Sequence, residues 1–227
     1  MSNTTSAFIA IVGKPNVGKS SILNRLVGQK VAIVSDKPQT TRTKISGILT
    51  KGEMQLVFID TPGLHKPKNT LGEHMVKAVS DGMTDVDCCL LVVEADKKIT
   101  PAEIDLIDRF KKRKLNAVLA INKTDLLENK EELFEIIKNY TDLFDFSAVV
   151  PVSAKNNEGI DDIFSELSKF AVPSVHFFDD EAFTDQPERV ITAEIIREKL
   201  LRSLDKEIPH GIAVDIERFS ERQDADI

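Results

Sequence analysis

The fold of this chain is decided by the stretch Gly13-Lys14-Pro15-Asn16-Val17-Gly18-Lys19-Ser20. It follows an apolar run, Ala7 to Val12, that predicts a buried strand, and it precedes Ser21 to Val27, which predicts a helix. A glycine-rich turn between strand and helix, in the pattern G-x-x-x-x-G-K-[ST], is typical of a phosphate-binding loop. The alternative, a chance glycine turn, is disfavoured because the flanking elements match as well as the pattern.

Each part of this loop has a chemical role toward a phosphate group. Glycines let the backbone wrap closely with its N–H groups pointing inward, and the helix N-terminus behind the loop adds partial positive charge. The Lys19 ammonium can reach the β- and γ-phosphates of a nucleotide, and the Ser20 hydroxyl can bind Mg²⁺. We therefore predict that Lys19 is a catalytic residue and that Ser20 is a magnesium ligand.

Length and composition predict a soluble globular protein of one or two domains. The chain has 227 residues, of which 41% are hydrophobic and 30% charged. No apolar run approaches the length of a membrane span, and no secretory signal is visible at the N-terminus. The formal net charge of −7 gives no global electrostatic argument for nucleic-acid binding.

The two cysteines, Cys88 and Cys89, are neighbours in an apolar run. Neighbours on a strand face opposite ways and cannot easily form a disulfide. We therefore predict reduced thiols and a cytoplasmic protein.

A second motif, Asp60-Thr61-Pro62-Gly63-Leu64, follows a predicted strand over Met54 to Ile59. Carboxylates at the carboxyl ends of strands are placed where doubly wound folds bind ligands. Asp60 is therefore a candidate partner of Mg²⁺, and the backbone N–H of Gly63 a candidate donor to a γ-phosphate. The alternative is an ordinary turn, which a phosphate-binding loop upstream makes less favoured.

The third motif, Asn122-Lys123-Thr124-Asp125, follows a predicted buried strand over Leu115 to Ile121. A carboxylate such as Asp125 can accept two hydrogen bonds from the N1–H and 2-amino groups of guanine, a pair that adenine does not present. Asn122 can hold the base and the loop, and the Lys123 stem can lie along the ring. The motif predicts a guanine nucleotide and argues against an ATPase or a small-molecule kinase.

The fourth motif, Ser153-Ala154-Lys155, follows a predicted strand over Phe146 to Val152. The backbone N–H of Ala154 can bond the guanine carbonyl oxygen. This motif is the least specific of the four, and an ordinary strand-to-helix loop is its alternative.

Strands and helices alternate over residues 7 to 170, with one further helix predicted over Leu71 to Met83. This alternation predicts an α/β fold, a doubly wound and mostly parallel sheet with helices on both faces. We predict a nucleotide-binding domain over residues 1–172 and a linker over 173–189. In residues 190–227 we predict a helix, Ile191 to Leu204, and a strand, Ile212 to Phe219, which belong to an incomplete α+β domain.

The four motifs in this order resemble those of the translation-factor-related GTPases. Within that class, three further stretches resemble the Era family of bacterial Ras-like GTPases. They are Lys37 to Arg42, Asp60 to Pro67, and Pro209-His210 before Val214 to Glu217. The resemblance implies a P-loop G domain joined to a C-terminal KH domain, hydrolysis of GTP to GDP and phosphate with Mg²⁺, and a role in maturing the small ribosomal subunit and its RNA.

The resemblance also implies roles for particular residues. Thr41, with Thr40 as the neighbouring alternative, would be a catalytic magnesium ligand beside Ser20 and Asp60, and Gly63 would be catalytic. Asn16 would hold K⁺, as asparagine does at this position in relatives. The predicted nucleotide-binding residues are Gly13, Lys14, Pro15, Asn16, Val17, Gly18, Lys19, Ser20, Ser21, Asp60, Gly63, Asn122, Lys123, Asp125, Ser153, Ala154 and Lys155.

Two departures from the family pattern qualify these expectations. Leu64 occupies the position where Ras-like enzymes carry a water-orienting glutamine, so we expect slow intrinsic turnover. No GXXG loop follows Phe219, so binding of small-subunit ribosomal RNA is expected of the full-length KH domain and not of this chain. The resemblance further implies peripheral association with the inner face of the membrane. An alternative function is a GTP-gated RNA- or ribosome-binding module whose hydrolysis is incidental.

Overall fold

The computed structural model describes residues 4–34, 45–60, 86–203 and 212–219. Within them, seven strands form one sheet: β1 Thr5–Val12, β2 Ile45–Lys51, β3 Met54–Asp60, β4 Cys88–Glu94, β5 Ala117–Asn122, β6 Ala148–Pro151 and β7 Val172–Pro173. The helices are α1 Lys19–Val27, α2 Pro101–Arg113, α3 Lys130–Thr141, α4 Ile160–Ser168 and α5 Glu188–Ser203, with a 3₁₀ turn at Thr124–Leu126.

The sheet is doubly wound, which confirms the predicted fold class. Its strands lie in the order β2-β3-β1-β4-β5-β6, and β1, β3, β4, β5 and β6 run parallel. The β2 strand pairs antiparallel with β3, to which it is joined by a hairpin turn. The strand order reverses on the two sides of β1, so the loop after β1 opens into the crevice where such folds bind ligands.

Both faces of the sheet are buried, because the parallel strands are covered by helices on each side. The face toward α1 and α4 contains Cys88, and the face toward α2 and α3 contains Cys89. Both thiols are free and buried, as predicted from their adjacency. Burial is the largest cause that raises the pKa of each thiol to about 12, so neither is reactive near neutral pH.

The segment predicted to be a linker is packed against the sheet. We call residues 173–187 the strap. The backbone of the strap pairs with Thr4 and with Ile48, and the Phe177 ring lies 4.9 Å from the ring of Phe8. Beyond the strap, the buried carboxylate of Glu198 in α5 forms an ion pair with Lys30 at 2.6 Å. The division of the chain into domains at 172 and 190 stays a prediction.

One expectation about the C-terminal residues is wrong. The alternation of Ile212 to Phe219 predicts a strand, but the described residues 212–219 form no strand. Burial does alternate along the first part of this segment, whereas a strand also requires hydrogen bonds from a neighbouring strand, and none pairs with it among the described residues. The helix predicted over Leu71 to Met83 lies outside the described residues.

Among the helices that the structure describes, none is long and apolar enough to cross a bilayer.

Candidate nucleotide-binding site

The phosphate-binding loop joins β1 to α1 as predicted. Its backbone curls because Gly13, Asn16 and Gly18 have positive φ angles of 149°, 65° and 100°. A side chain at position 18 is excluded for two reasons. The φ angle of Gly18 is strained for other residues, and a Cβ atom would lie 2.1 Å from Nδ2 of Asn122. The loop is therefore shaped by its glycines for close approach of a ligand to the backbone.

The ammonium group of Lys19 lies across this loop. Its Nζ donates hydrogen bonds to the carbonyl oxygens of Lys14, at 2.8 Å, and Gly13, at 3.3 Å. The side chain is buried, so its charge is held in a site of low water content, where attraction to a phosphate is stronger than in bulk water. Ser20 and Ser21 follow in the first turn of α1 and are half-buried.

Asn122 connects the phosphate-binding loop to the fourth motif. Its side chain is 2% exposed. The amide Nδ2 donates to the carbonyl oxygen of Val17 at 2.7 Å, and Oδ1 accepts the backbone N–H of Ala154 at 3.1 Å. One side chain at the end of β5 thus holds two loops that are far apart in sequence. The N–H of Ala154 is engaged by Asn122, so a guanine oxygen would share this donor.

The Asp125 carboxylate is fixed by two residues of the fourth motif. Ser153 Oγ donates to Oδ1 at 2.6 Å, and Lys155 Nζ lies 3.7 Å from Oδ2. The Ser153 hydrogen bond is the main cause that lowers the pKa of Asp125, so the group is ionised near neutral pH. An ionised carboxylate is an acceptor only, which is the property that recognition of the guanine N–H groups requires.

Lys123 is held beside this carboxylate by an ion pair with Glu94 at the end of β4. Its backbone has a φ angle of 65°, which turns the chain sharply after β5. The next residue, Thr124, donates from both its N–H and its hydroxyl to the carbonyl oxygen of Val152. These contacts join the third motif to the end of β6.

Most of the predicted residues come together at the carboxyl ends of β1, β5 and β6. The side chain of Lys14 is directed to Glu103, at 3.4 Å, and Asn16 is exposed at the tip of the loop. Asp60 ends β3, where its backbone is in register with Ile11 of β1. The side chain of Asp60, and the whole of Thr41 and Gly63, lie outside the part of the chain that the structure describes.

Sequence reasoning missed three residues that support the site. Glu94 stands at the carboxyl end of a buried strand, a position that could have marked it. Arg25 donates from Nε to the carbonyl oxygen of Ala154 at 3.1 Å, and backbone contacts of this kind leave no sequence signal. Glu103 forms a capping box with Thr100, so its sequence signal pointed only to a helix start.

A family model described as "50S ribosome-binding GTPase" matches residues 8–123. Among curated proteins, the chain is 48% identical to GTPase Era of Clostridioides difficile (strain 630). That alignment covers 98% of this chain and 75% of the relative. It is 47% identical to GTPase Era of Ruminiclostridium cellulolyticum, over 96% of this chain and 73% of the relative.

Solved structures give the same result. A crystal structure of Era in complex with MgGDPNP and nucleotides 1506-1542 of 16S ribosomal RNA is 32% identical, with a TM-score of 0.85 over 91% of this chain and 70% of that one. A single-residue variant of Aquifex aeolicus Era bound to GDP·AlF4⁻ is also 32% identical, with a TM-score of 0.82 over the same shares of the two chains.

Proposed function

Because the chain belongs to the Era family of GTPases, we propose that it is a GTP-hydrolysing switch that assists assembly of the small ribosomal subunit. The observation that carries this proposal is the position of Asn122. Its amide side chain holds the phosphate-binding loop at Val17 and the fourth motif at Ala154. A phosphate site and a base site are thereby fixed relative to each other, as a nucleotide needs.

Guanine is recognised by Asp125. The carboxylate accepts from the N1–H and 2-amino groups of the base, while Ser153 and Lys155 keep it oriented and charged. The stem of Lys123, held at its end by Glu94, lies along the ring. This assignment supports GTP over ATP.

The phosphates are bound by the backbone N–H groups of the loop and by Lys19. The ammonium group neutralises charge on the β- and γ-oxygens, which stabilises the charge that develops as the γ-phosphoryl group is transferred to water. The carbonyl oxygens of Gly13 and Lys14 hold the ammonium in place before the nucleotide arrives. Little reorganisation is therefore needed when GTP binds.

The residues fit a magnesium ion. Ser20 lies in the first turn of the helix and offers a hydroxyl oxygen, the type of donor that Mg²⁺ prefers. Thr41 and the side chain of Asp60, which lie outside the described residues, would add two further oxygen donors. When bound, Mg²⁺ would offset the negative charge of the phosphate groups. In the proposed switch, the backbone N–H of Gly63, which lies outside the described residues, would donate to the γ-phosphate.

Potassium is the proposed activator at Asn16. The exposed position of this side chain at the tip of the loop supports access by an ion from solvent. We expect faster hydrolysis in K⁺ than in Na⁺ at equal ionic strength. Equal rates of GTP hydrolysis in the two salts would contradict the proposed potassium site and leave the GTPase assignment unchanged.

The proposed macromolecular partner is small-subunit ribosomal RNA. It is supported by the crystal structure of Era that contains a fragment of 16S ribosomal RNA, because this Era structure matches 91% of the present chain. The description of the family model names the 50S subunit, but it matches residues 8–123 alone. Action in the cytoplasm, with peripheral association at the inner membrane face, stays a prediction from family resemblance.

Two measurements test the proposal. The first is hydrolysis of GTP by this chain with and without a large excess of ATP. Undiminished hydrolysis supports a GTPase, whereas competition by ATP contradicts the guanine assignment.

The second measurement is binding of a 3′-terminal 16S RNA fragment in the presence of GTP analogue or GDP, at two salt concentrations. The 227-residue chain is compared with a version extended through a GXXG loop. Binding by the extended chain alone assigns RNA reading to the KH domain. Binding by the shorter chain contradicts that assignment, and no response to the nucleotide contradicts the switch.

A further inference from the structure

A buried carboxylate lies behind the phosphate-binding loop. Glu103 is in the first turn of α2 and is 2% exposed. A carboxylate taken out of water is costly unless hydrogen bonds and an opposite charge compensate it. Such a group therefore needs partners in fixed positions.

The two oxygens of this carboxylate have different partners. Oε2 accepts hydrogen bonds from the backbone N–H and from the hydroxyl of Thr100, both at 2.7 Å. The hydroxyl of Tyr140, a fully buried residue of α3, also hydrogen-bonds the carboxylate. Oε1 faces Lys14 Nζ at 3.4 Å. The carboxylate is thus anchored to α2 and α3 on one side and presents a charge to the phosphate-binding loop on the other.

Lys14 connects the Glu103 carboxylate to the catalytic lysine, Lys19. Its side chain is 19% exposed, and its ammonium is paired with the Glu103 carboxylate. Its backbone carbonyl oxygen accepts the shorter of the two hydrogen bonds from Lys19 Nζ, at 2.8 Å. Fixing the side chain of Lys14 restricts the backbone that holds the Lys19 ammonium.

We propose that Glu103 is a positioning residue for GTP hydrolysis, which acts through Lys14 on the ammonium group of Lys19. Lys14 is then a structural link of the loop and makes no side-chain contact with the nucleotide. This inference rests on the proposed function. It deepens that function by adding α2 and α3 to the elements that position the catalytic lysine.

The test uses the whole chain and the variants Glu103→Gln, Lys14→Met and the double variant. We expect each single variant to lower kcat and to weaken GDP binding, each by about tenfold, because misplacing a catalytic group by a fraction of an ångström carries penalties of that order. The double variant should be no worse than either single one, because both break the same link. Lys14→Arg should restore most of kcat, since it returns a cation to Glu103.

The matched control is the exposed ion pair between Lys169 and Glu166, at 2.6 Å in another part of the surface. Lys169→Met and Glu166→Gln make the same chemical changes and should leave both readouts unchanged. Thermal unfolding is measured for every variant. A lowered melting temperature with unchanged kcat and GDP affinity would show that Glu103 is only structural.

Two other outcomes also overturn the inference. If Lys14→Met lowers kcat and Glu103→Gln does not, Lys14 acts on the nucleotide directly. If the effects of the single variants add in the double variant, the two residues act separately. Should Glu103→Gln fail to fold, Thr100→Ala loosens the same carboxylate, and an unchanged kcat there is equally decisive. If the unmodified chain does not hydrolyse GTP, the proposed function is contradicted and not the role of Glu103. GDP affinity of the variants then still tests the connection from Glu103 through Lys14 to Lys19.

Discussion

Two regions at opposite ends of the strands are built in different ways. The guanine cluster, which we define as Asn122, Asp125, Ser153, Ala154 and Lys155, lies where β5 and β6 end. The strap, residues 173–187, lies near the start of β1 and β3. In the cluster, Ser153 and Lys155 bind the side chain of Asp125, and Asn122 binds the backbone N–H of Ala154. In the strap, side chains of the sheet bind mainly backbone groups.

The buried side chain of Gln55 shows the second arrangement. Its Oε1 accepts the N–H groups of Phe177 and Phe178, and its Nε2 donates to the carbonyl oxygen of Phe178. Thr4 and Ser6 add hydroxyl donors to strap carbonyl oxygens, each at 2.7 Å. These hydrogen bonds use the N–H and carbonyl groups of the strap backbone, and every residue type except proline has both. The cluster therefore depends on the residue types of Asn122, Asp125, Ser153 and Lys155, whereas the strap's hydrogen bonds to Gln55, Thr4 and Ser6 depend mainly on the position of its backbone.

The largest effect should come from the contact between the phosphate-binding loop and the guanine cluster. We expect Gly18→Ala to weaken GDP binding at least about 100-fold. The new methyl group would meet Nδ2 of Asn122 and break the link that this amide makes to Val17. Isothermal titration calorimetry with GDP measures the loss.

Gly52→Ala in the β2–β3 turn is the matched control. It has a φ angle of 60° but open space around its Cβ position, so it introduces backbone strain without a clash. We expect a loss of about 1 kcal/mol in stability and no change in GDP affinity. Normal GDP binding by Gly18→Ala would show that the two nucleotide loops are not coupled.

The next effect tests the specificity of the cluster. Asp125→Asn should weaken GTP binding about 100-fold and favour xanthine nucleotides, because an amide reverses part of the hydrogen-bond pattern facing the base. Competition between GTP and XTP measures the change. Asp145→Asn, at an exposed position, is the control and should leave selectivity as it is. Unchanged GTP affinity in Asp125→Asn would contradict the guanine assignment.

A smaller effect is expected where the strap is attached. Gln55→Ala removes a fully buried side chain and leaves partly buried backbone groups of Phe177 and Phe178 without this partner, so the free energy of unfolding should fall by about 2–3 kcal/mol. GDP affinity should stay within about twofold, because the strap lies away from the nucleotide site. Denaturant unfolding and calorimetry measure the two quantities. Gln186→Ala, which removes only a surface bond to Asp185, should cost under about 0.5 kcal/mol. A large loss of GDP affinity in Gln55→Ala would mean that the two regions are not independent.

The smallest effects concern pH, and their signs are opposite in the two regions. The pKa of Asp125 is lowered, mainly by Ser153, so its stabilising contribution is present above the ordinary value near 3.9 and is lost as pH falls through the lowered pKa. The pKa of His176 is raised, mainly by Asp180 at 2.5 Å. Its contribution is complete below about 6.5 and is lost as pH rises through the raised pKa.

NMR titration of two variants checks these signs. Ser153→Ala should raise the pKa of Asp125 toward its ordinary value, and Asp180→Asn should lower that of His176. Each substitution should leave the titration of the other group unchanged. A shift of either group in the opposite direction would contradict the assigned cause.

Most of the fold was predictable, because buried parallel strands leave continuous apolar runs and the loops between them carry glycine and proline. Thr100 followed by Pro101 is a helix-start signal in the sequence, and α2 begins at Pro101 with Thr100 as its N-cap. The strand expected over 212–219 is not formed in the described residues. Alternation of apolar and polar residues predicts which side chains are buried, but it does not provide a partner strand for the backbone hydrogen bonds. The attachment of residues 173–187 to the sheet could not be predicted, because most of its anchors are backbone groups that a sequence does not distinguish.

The nucleotide loops were determined by the sequence itself, since phosphate and guanine each require particular chemical groups at short spacing. Lys19, Asn122 and Asp125 could be predicted as nucleotide-binding residues without any structure for that reason. Only the tertiary structure decided which distant residues support them, such as Glu94 beside Lys123 and Glu103 behind Lys14. An ion pair between residues that are remote in sequence depends on how the strands and helices pack. The local sequence pattern does not show which distant residues will meet.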